Sequence, residues 1–396
     1  MNSANNIIQW NCRGLNANRS DLELLAQKYN PVAICLQETK VNGPLSFKGH
    51  VEYFKLGTTD TIGRAHGGVA VYVKEGFPQS LIHLQTTLQA VAVKITTDTT
   101  FTICSIYLPP NEPIVMADIQ NLFLQLPQPC IIAGDLNAHN YLWGNQNTDA
   151  RGNIIEKFLN DNNLCLWNDD SPTYVHPGTG ALTSIDLTMC SPQLFLNFSW
   201  EVEEDQWGSD HFPLILSGHF APPNERPSRW QFHKADWTKF RVLCDEQLIP
   251  DFIEANEDPL QTFTNTLFDI ASQCIPKSNP NPPKKEKPWY TEECKEAIKQ
   301  RRKALKNFKR QPTQHNLELY RIKRAKARQV VRVCKRKSWR EYVSKLNNRT
   351  PMKKCWDMIR KISGKGGGAR VKHLVQNGQT VTQPKAIADT IAQTIS

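Results

Sequence analysis

Six apolar runs in this chain end in, lead into or begin at polar side chains. Asn11 follows IIQW, Glu38 follows VAICLQ, and Tyr107 lies in SIYLPP. Asp135 and Asn137 sit in GDLN, Asp186 in SID, and Asp210 with His211 opens the run that closes at 220. One carboxylate at a strand end is ordinarily a turn or helix cap. Several on different strands read differently, because strand ends on one rim of a sheet can converge on a single pocket. Carboxylates and amides, with no Cys/His pair at zinc spacing, favour a hard, oxygen-seeking cation, Mg2+ or Mn2+. A histidine among acids is held in one tautomer and supports charge developing on a phosphate. The set suits metal-assisted hydrolysis of a phosphate ester.

The elements that must position these groups are short and β-branched. IIQWN, VAICLQE, GVAVYV, AVAVKI, FTICSIYL, CIIAGDLN, SIDLTMC and FPLILSGHF read as strands bounded by Gly, Pro, Asn or Asp. Several are apolar on both faces, as a strand covered on both sides must be. Helical spacing appears at 20–29, with Ser20 as a candidate N-cap, at 116–126 and at 151–163. The class is α/β (α+β), with packed sheets flanked by helices and a mainly helical basic region after them.

Charge divides the chain. Residues 1–220 carry 11 Lys/Arg against 21 Asp/Glu, whereas 221–396 carry 37 against 17. The split predicts three parts: a domain over 1–220, a proline-bounded helical linker over 221–288, and a basic helical region over 289–396. Two amphipathic helices are expected within 235–275, and long basic helices broken near Pro312 within 290–347. A hairpin is expected at Asn377-Gly378, and GKGGG (364–368) reads as a linker. From 277 to 372 there are 31 Lys/Arg against 7 Asp/Glu, an imbalance that points to a polyanionic partner. The 11 cysteines are never closer than 20 residues in sequence, which excludes CxxC metal or redox motifs and predicts buried thiols in a reducing compartment. No apolar run is long enough for a bilayer, and the N-terminus lacks a signal-peptide pattern. No small-molecule cofactor and no membrane association are expected.

WNCRGL (10–15), QET (37–39), IYLPP (106–110), GDLNAH (134–139), SID (184–186) and SDH (209–211) resemble, in order and spacing, the endonuclease/exonuclease/phosphatase superfamily. With GDLNAHNYLWG and the later PWYTEEC, the chain is most similar to the apurinic-endonuclease-like domain of jockey-type non-LTR (LINE) retrotransposons, ending before a reverse transcriptase. The resemblance implies a four-layer fold with two packed β-sheets and assigns roles to positions. Glu38 matches the principal metal carboxylate, Asn11 its partner, and Asp210 a second acid close to the metal. Asp135 matches the acid that aligns and activates water, with Asn137 beside it. His211 matches the histidine at the scissile phosphate, Asp186 the residue that orients it, and Tyr107 a phenol on phosphate. Repair-type apurinic endonucleases carry Asp where Arg13 stands, so Arg13 is read as a DNA-phosphate contact or a surface residue. His139, with Trp143, either lines the DNA groove or belongs to a packed loop.

The function so implied is a Mg2+-dependent endonuclease that nicks target DNA to leave a 3′-hydroxyl for reverse transcription. Its partners would be DNA and, through the basic region, element RNA. Its place would be intracellular and nuclear when acting, in keeping with KKEK, QRRK and KRKSWR. Residues 1–220 are expected to cleave without the basic region. A repair endonuclease or phosphatase of the same fold, and an inactive nucleic-acid-binding fragment, are the alternatives.

Overall fold

In the computed structural model, the described residues are 5–218, 229–249, 258–278 and 287–346, with the backbone of two short strands at 374–376 and 379–381. Strands in chain order are β1 (Asn5–Asn11), β2 (Ala33–Gln37), β3 (His50–Lys55), β4 (Thr58–Thr59), β5 (Ala65–His66), β6 (Val69–Lys74), β7 (Gln79–Ile82), β8 (Gln89–Thr96) and β9 (Thr100–Tyr107). They continue with β10 (Cys130–Asp135), β11 (Cys165–Leu166), β12 (Tyr174–Val175), β13 (Leu182–Thr183), β14 (Asp186–Cys190), β15 (Phe198–Val202) and β16 (Leu214–Gly218). Two six-stranded sheets result, one ordered β15-β16-β1-β2-β6-β3 and the other β11-β14-β10-β9-β8-β7.

Period-two alternation explains why they stack. Ile7, Ala33, Cys35 and Val71 from the first sheet meet Val93, Ile103, Ile131 and Ala133 from the second in one buried layer. The outer face of the first sheet, through Ile8, Trp10, Ile34 and Leu36, is covered by α1 (Leu15–Tyr29) with Leu15, Leu22 and Leu25. The outer face of the second, through Ile106 and Ile132, is covered by α2 (Met116–Leu124) and α3 (Ala150–Asp161). The expected four-layer arrangement is thus present. A short helix, α4 (Pro192–Phe195), comes after β14. Ser20 lies inside α1 and caps nothing: the helix begins five residues earlier, behind Gly14 with φ 107°.

The register places the polar ends together. In the parallel pair β1–β2, Asn11 stands opposite Gln37; in the parallel pair β9–β10, Tyr107 stands opposite Asp135. The antiparallel β14 then begins at Asp186, opposite Asp135. Along each strand the inner face therefore runs from aliphatic side chains to polar ones at the same rim. Gln9 Nε2 donates to Gly134 O at 3.0 Å, and Gln37 Nε2 donates to Ser105 Oγ at 2.9 Å, which stitches the two sheets across that polar end. Both side chains are fully buried, so these bonds satisfy amide N–H groups that would otherwise be costly there.

The chain forms two compact units, residues 1–223 with 286–396, and residues 224–285. The second unit contains α5 (Trp237–Gln247) and α6 (Pro259–Cys274), the two helices expected there, packed around Ile270, Cys274 and Ile275. In the first unit, α7 (Glu292–Arg310) and α8 (Gln314–Ser344) are the basic helices, separated at Pro312 and capped by Thr291 and Thr313. Where the sequence reading treats 289–396 as a part by itself, these helices pack on the body. Ala304, Leu305, Phe308, Leu317 and Tyr320 bury against Val175 and Phe212. Strands β17 (Leu374–Gln376) and β18 (Gln379–Val381) pair antiparallel. The turn residues Asn377-Gly378 and the GKGGG segment lie outside the described residues. Among the described residues no helix is long and apolar enough to cross a membrane, and the ten described cysteines are free thiols.

Candidate active site

The rim where β1, β2, β9, β10 and β14 converge holds a buried Asp–His–Asp arrangement. Asp186 at the start of β14 approaches His211 Nδ1 with its two oxygens at 3.1 and 2.8 Å. Asp135 Oδ2, at the end of β10, lies 4.0 Å from His211 Nε2. The three side chains offer ligand atoms within 4.8 Å of one another, and all are buried. Asn11 Nδ2 donates to Asp135 Oδ2 at 2.7 Å, and the Asn137 backbone N–H donates to Asp135 Oδ1 at 3.1 Å. Asn137 itself, with φ 47°, turns its amide to donate to Leu108 O at 3.0 Å.

Glu38 and Asp210 stand at this rim with partners of their own. Glu38 has φ 48°, accepts a hydrogen bond from Tyr107 Oη at 2.9 Å, and pairs with Lys40 Nζ at 2.6 Å. Arg13, φ 46°, forms an ion pair with Asp210 through Nη1, and its side chain remains 48% exposed. Three strand ends thus turn into the left-handed region at Arg13, Glu38 and Asn137, a conformation that persists for residues other than glycine only where tertiary contacts hold it.

The charges set each other's protonation. Burial works against a charged His211, but Asp186 by charge and by hydrogen bond, then Asp135 and Asp210, outweigh it and raise the imidazole to about 10. Burial, and then repulsion from Asp186, push Asp135 up to about 7 against the attraction of His211 and the bond from Asn11. Burial also works against an ionised Glu38, yet Lys40, Tyr107 and His211 hold its carboxyl below the usual range. Burial, with the charges of Glu38 and Asp135, raises the Tyr107 phenol, so its hydroxyl keeps its proton. At neutral pH the site therefore contains an imidazolium, an ionised Glu38, and a carboxyl poised near its titration point.

Of the positions expected from sequence, Asn11 and Asn137 bond to Asp135, Asp186 bonds to His211, the two groups face each other across 4.0 Å, and Glu38 joins Tyr107. Arg13 meets Asp210 instead of standing free on the surface. His139 is half-buried, and its Nδ1 pairs with Asp149 at 3.0 Å, the residue that caps α3. Trp143 is fully buried with its Nε1 donating to Ala138 O, so of the two readings of that loop the packed one describes this residue.

Three residues at the site, Thr173, Tyr174 and Lys40, were not singled out from the sequence. Thr173 Oγ1 donates to Asp186 Oδ2 at 2.7 Å, and the Tyr174 ring lies 4.6 Å from the His211 ring. Nothing in TYV distinguishes these residues before folding. Lys40 was findable, two positions after Glu38. Ser209 Oγ donates to Asn11 O at 2.8 Å, which ties the SDH turn to the end of β1.

Residues 101–215 match the family described as Endonuclease-reverse transcriptase. The chain is 25% identical over 286 residues to the RNA-directed DNA polymerase from mobile element jockey of Drosophila melanogaster, covering 68% of this chain and 30% of that protein. It is 26% identical over 219 residues to the probable RNA-directed DNA polymerase from transposon X-element of the same organism, covering 53% and 24%. The chain spans less than a third of the length of these curated relatives. Among solved structures, the endonuclease domain of TRAS1, a telomere-specific non-LTR retrotransposon, aligns with 55% of this chain and 98% of that one at 24% identity and a TM-score of 0.47. The family match and the jockey-type relatives bear out the resemblance read from the motifs.

Proposed function

We propose that this chain is a Mg2+-dependent DNA endonuclease that nicks one strand, leaving a 5′-phosphate and a 3′-hydroxyl. The observation that carries the reading is the buried Asp135–His211–Asp186 constellation with Asn11 and Asn137 on Asp135. The donor set fits a hard cation: Glu38, Asn11 and Asp210 supply carboxylate and amide oxygens at the same rim, and the one thiol beside it, Cys12, is held protonated by burial, its pKa pushed up to about 12. These residues would hold the ion, which when bound offsets negative charge on the phosphoryl and leaving oxygens. Lys40 holds the Glu38 carboxylate ionised and in place, and Arg13 pairs with Asp210 and fixes its position.

Asp135 is the group placed to take a proton from the attacking water. Its raised pKa of about 7 lies near the working pH, where a general base is most effective. Asn11 and Asn137 fix its orientation. As the water oxygen bonds to phosphorus and the bond to the 3′ oxygen breaks, negative charge builds on the phosphoryl oxygens. His211, a cation fixed by Asp186, is already oriented to meet it, and a preorganised charge in a buried site needs no reorganisation. The protonated Tyr107 hydroxyl supplies a further donor.

The 3′-hydroxyl would prime reverse transcription by a polymerase of the longer proteins that this chain resembles, with element RNA held through the exposed cations of α7 and α8, in the nucleus. Incubation of the full chain with supercoiled plasmid, with Mg2+ or with chelator, tests the reading. It predicts conversion to open circles only with metal, and nicks that a polymerase extends without prior treatment. No nicking under Mg2+ or Mn2+ would refute it. Release of phosphate from small phosphate esters with intact plasmid would favour a phosphatase.

A further inference from the structure

Resting on the nuclease reading, we propose that Arg324 and Arg328 of α8 are positioning residues. They clamp the 205–209 turn and, through it, hold Asp210 and His211 in cleaving geometry.

The turn is conformationally expensive. Trp207 has φ 53° and Gly208 φ 107°, both left-handed. A Cβ on Gly208 would meet Asn18 Oδ1 at 2.5 Å and would be strained at φ 107°, so the position favours glycine. A non-glycine residue held left-handed persists only when its surroundings over-determine it, and here much of the surrounding comes from the basic helices. Arg301 Nη2 and Arg302 Nε both bind Asp205 Oδ2, at 2.5 and 2.9 Å. The Arg302 guanidinium lies 5.1 Å from the centre of the Trp207 ring. Arg328 donates to Gly208 O, and Arg324 donates to Gly208 O at 3.5 Å and to Ser209 O. Tyr320 Oη donates to Gln206 Oε1, and Gln206 Nε2 donates to the backbone oxygen of Asp210. Every residue from Asp205 to Ser209 is therefore held by α7 or α8, and the next two are Asp210 and His211.

The anchoring is internal to the helices and independent of substrate. Arg301 is 4% exposed and Asp205 1%, an ion pair across 96 residues of sequence that leaves a buried charge if either partner is lost. Arg324 and Arg328 meet carbonyl oxygens, and a guanidinium donating to a carbonyl is a charge-assisted bond with a fixed direction. A surface that only gathered DNA phosphates would spread its arginines outward; these two are aimed at the main chain of the catalytic turn. On this geometry residues 1–220 need α7 and α8 for full cleavage, contrary to the expectation from sequence that they cleave without the basic region.

The test uses the full chain. Arg324→Ala/Arg328→Ala should lower kcat for plasmid nicking at least about 10-fold, the scale of a small misplacement of catalytic groups, with KM changed by less than about 3-fold. Arg324→Lys/Arg328→Lys should recover part of the loss, since an ammonium can still donate to the carbonyls. Hydrogen exchange of the 206–212 amides should quicken in the alanine variant while β9 and β10 stay protected. A rise in KM with kcat unchanged would make the arginines substrate contacts and overturn the proposal. Unchanged exchange at 206–212 would overturn it as well. If the wild-type chain does not nick, the nuclease reading fails separately, and the exchange measurement alone decides the clamp. Should the double variant lose its circular-dichroism signature, the single Arg328→Gln variant is read in its place, with the same outcomes.

Discussion

Replacing Asp186 by asparagine should move the alkaline limit of the cleavage reaction without destroying it. Asp186 is 1% exposed, holds His211 Nδ1 at 2.8 Å and accepts from Thr173. Asparagine has nearly the same shape and can keep one of these bonds, so the change is chiefly one of charge. Burial lowers the His211 pKa; Asp186 is the largest contribution that raises it to about 10, ahead of Asp135 and Asp210. With Asp186 neutral, burial opposes only the two weaker contributions, and the imidazole should return to roughly its ordinary 6.5. At pH 8 the protonated fraction would then fall from nearly all to roughly 3%, so cleavage should drop about 30-fold. At pH 6 wild type and variant should differ by only about 1.3-fold on the same arithmetic. Single-turnover nicking rates with saturating Mg2+ between pH 5.5 and 9.5 measure this. A second signature comes from linkage. A histidine raised from 6.5 to about 10 on folding contributes stability that is fully present below pH 6.5 and is lost as pH rises through 10. Wild type should therefore lose stability across that window in chelator, and the Asn variant should not. An equal loss of rate at pH 6 and pH 8 would show that Asp186 acts through geometry alone. A variant faster than wild type at high pH would mean that His211 works as the neutral base, and the roles given to Asp135 and His211 would have to be exchanged.

Glu38→Gln should abolish metal-dependent nicking and remove the rise in Tm that Mg2+ gives the wild type, since the ionised carboxylate is the oxygen donor; unchanged nicking at matched Mg2+ would take Glu38 out of the site. Asp135→Asn should lower the cleavage rate at least about 10²-fold, as for loss of a general base. The substitution acts on stability in the opposite sense to its effect on rate: folding raises Asp135 from 3.8 to about 7, so its contribution, like that of His211, is present at low pH, below 3.8, and lost as pH rises through 7. In chelator at pH 8 the Asn variant should be the more stable by on the order of 1 kcal/mol, and the gap should close at pH 4 in thermal melts. Lys326, Arg332 and Arg336 are exposed cations on α8; their change to Gln should make log affinity for duplex DNA against log salt shallower by up to roughly 2.7, or 0.9 per contact. An unchanged slope would leave those charges solvated.

The chemistry of the site was legible in the chain because it is written locally. A carboxylate or amide that ends a β-branched run has no place in an apolar layer, and period-two alternation fixes its face: Ile7, Gln9 and Asn11 must point one way, Ile131, Ala133 and Asp135 likewise. Glu38, Asp135, Asp186 and His211 therefore stood out as a set, though each alone would pass for a turn or cap, and the two basic helices and the break between them stood out as well. Which groups touch was decided by the register and by the stacking of the sheets. Asp135 stands opposite both Tyr107 and Asp186 only because β10 pairs with β9 on one side and β14 on the other. Thr173 and Tyr174 join the site through a loop crossing that no pattern of types announces. The basic region shows the limit most clearly. Sequence registers Arg301, Arg324 and Arg328 as positive charge, which belongs to the residue. Whether that charge meets solvent, a nucleic acid or the carbonyls of Gly208 and Ser209 depends on what lies within about 3 Å, the reach of a hydrogen bond, and partners more than a hundred residues away in sequence come that close only when the chain has folded.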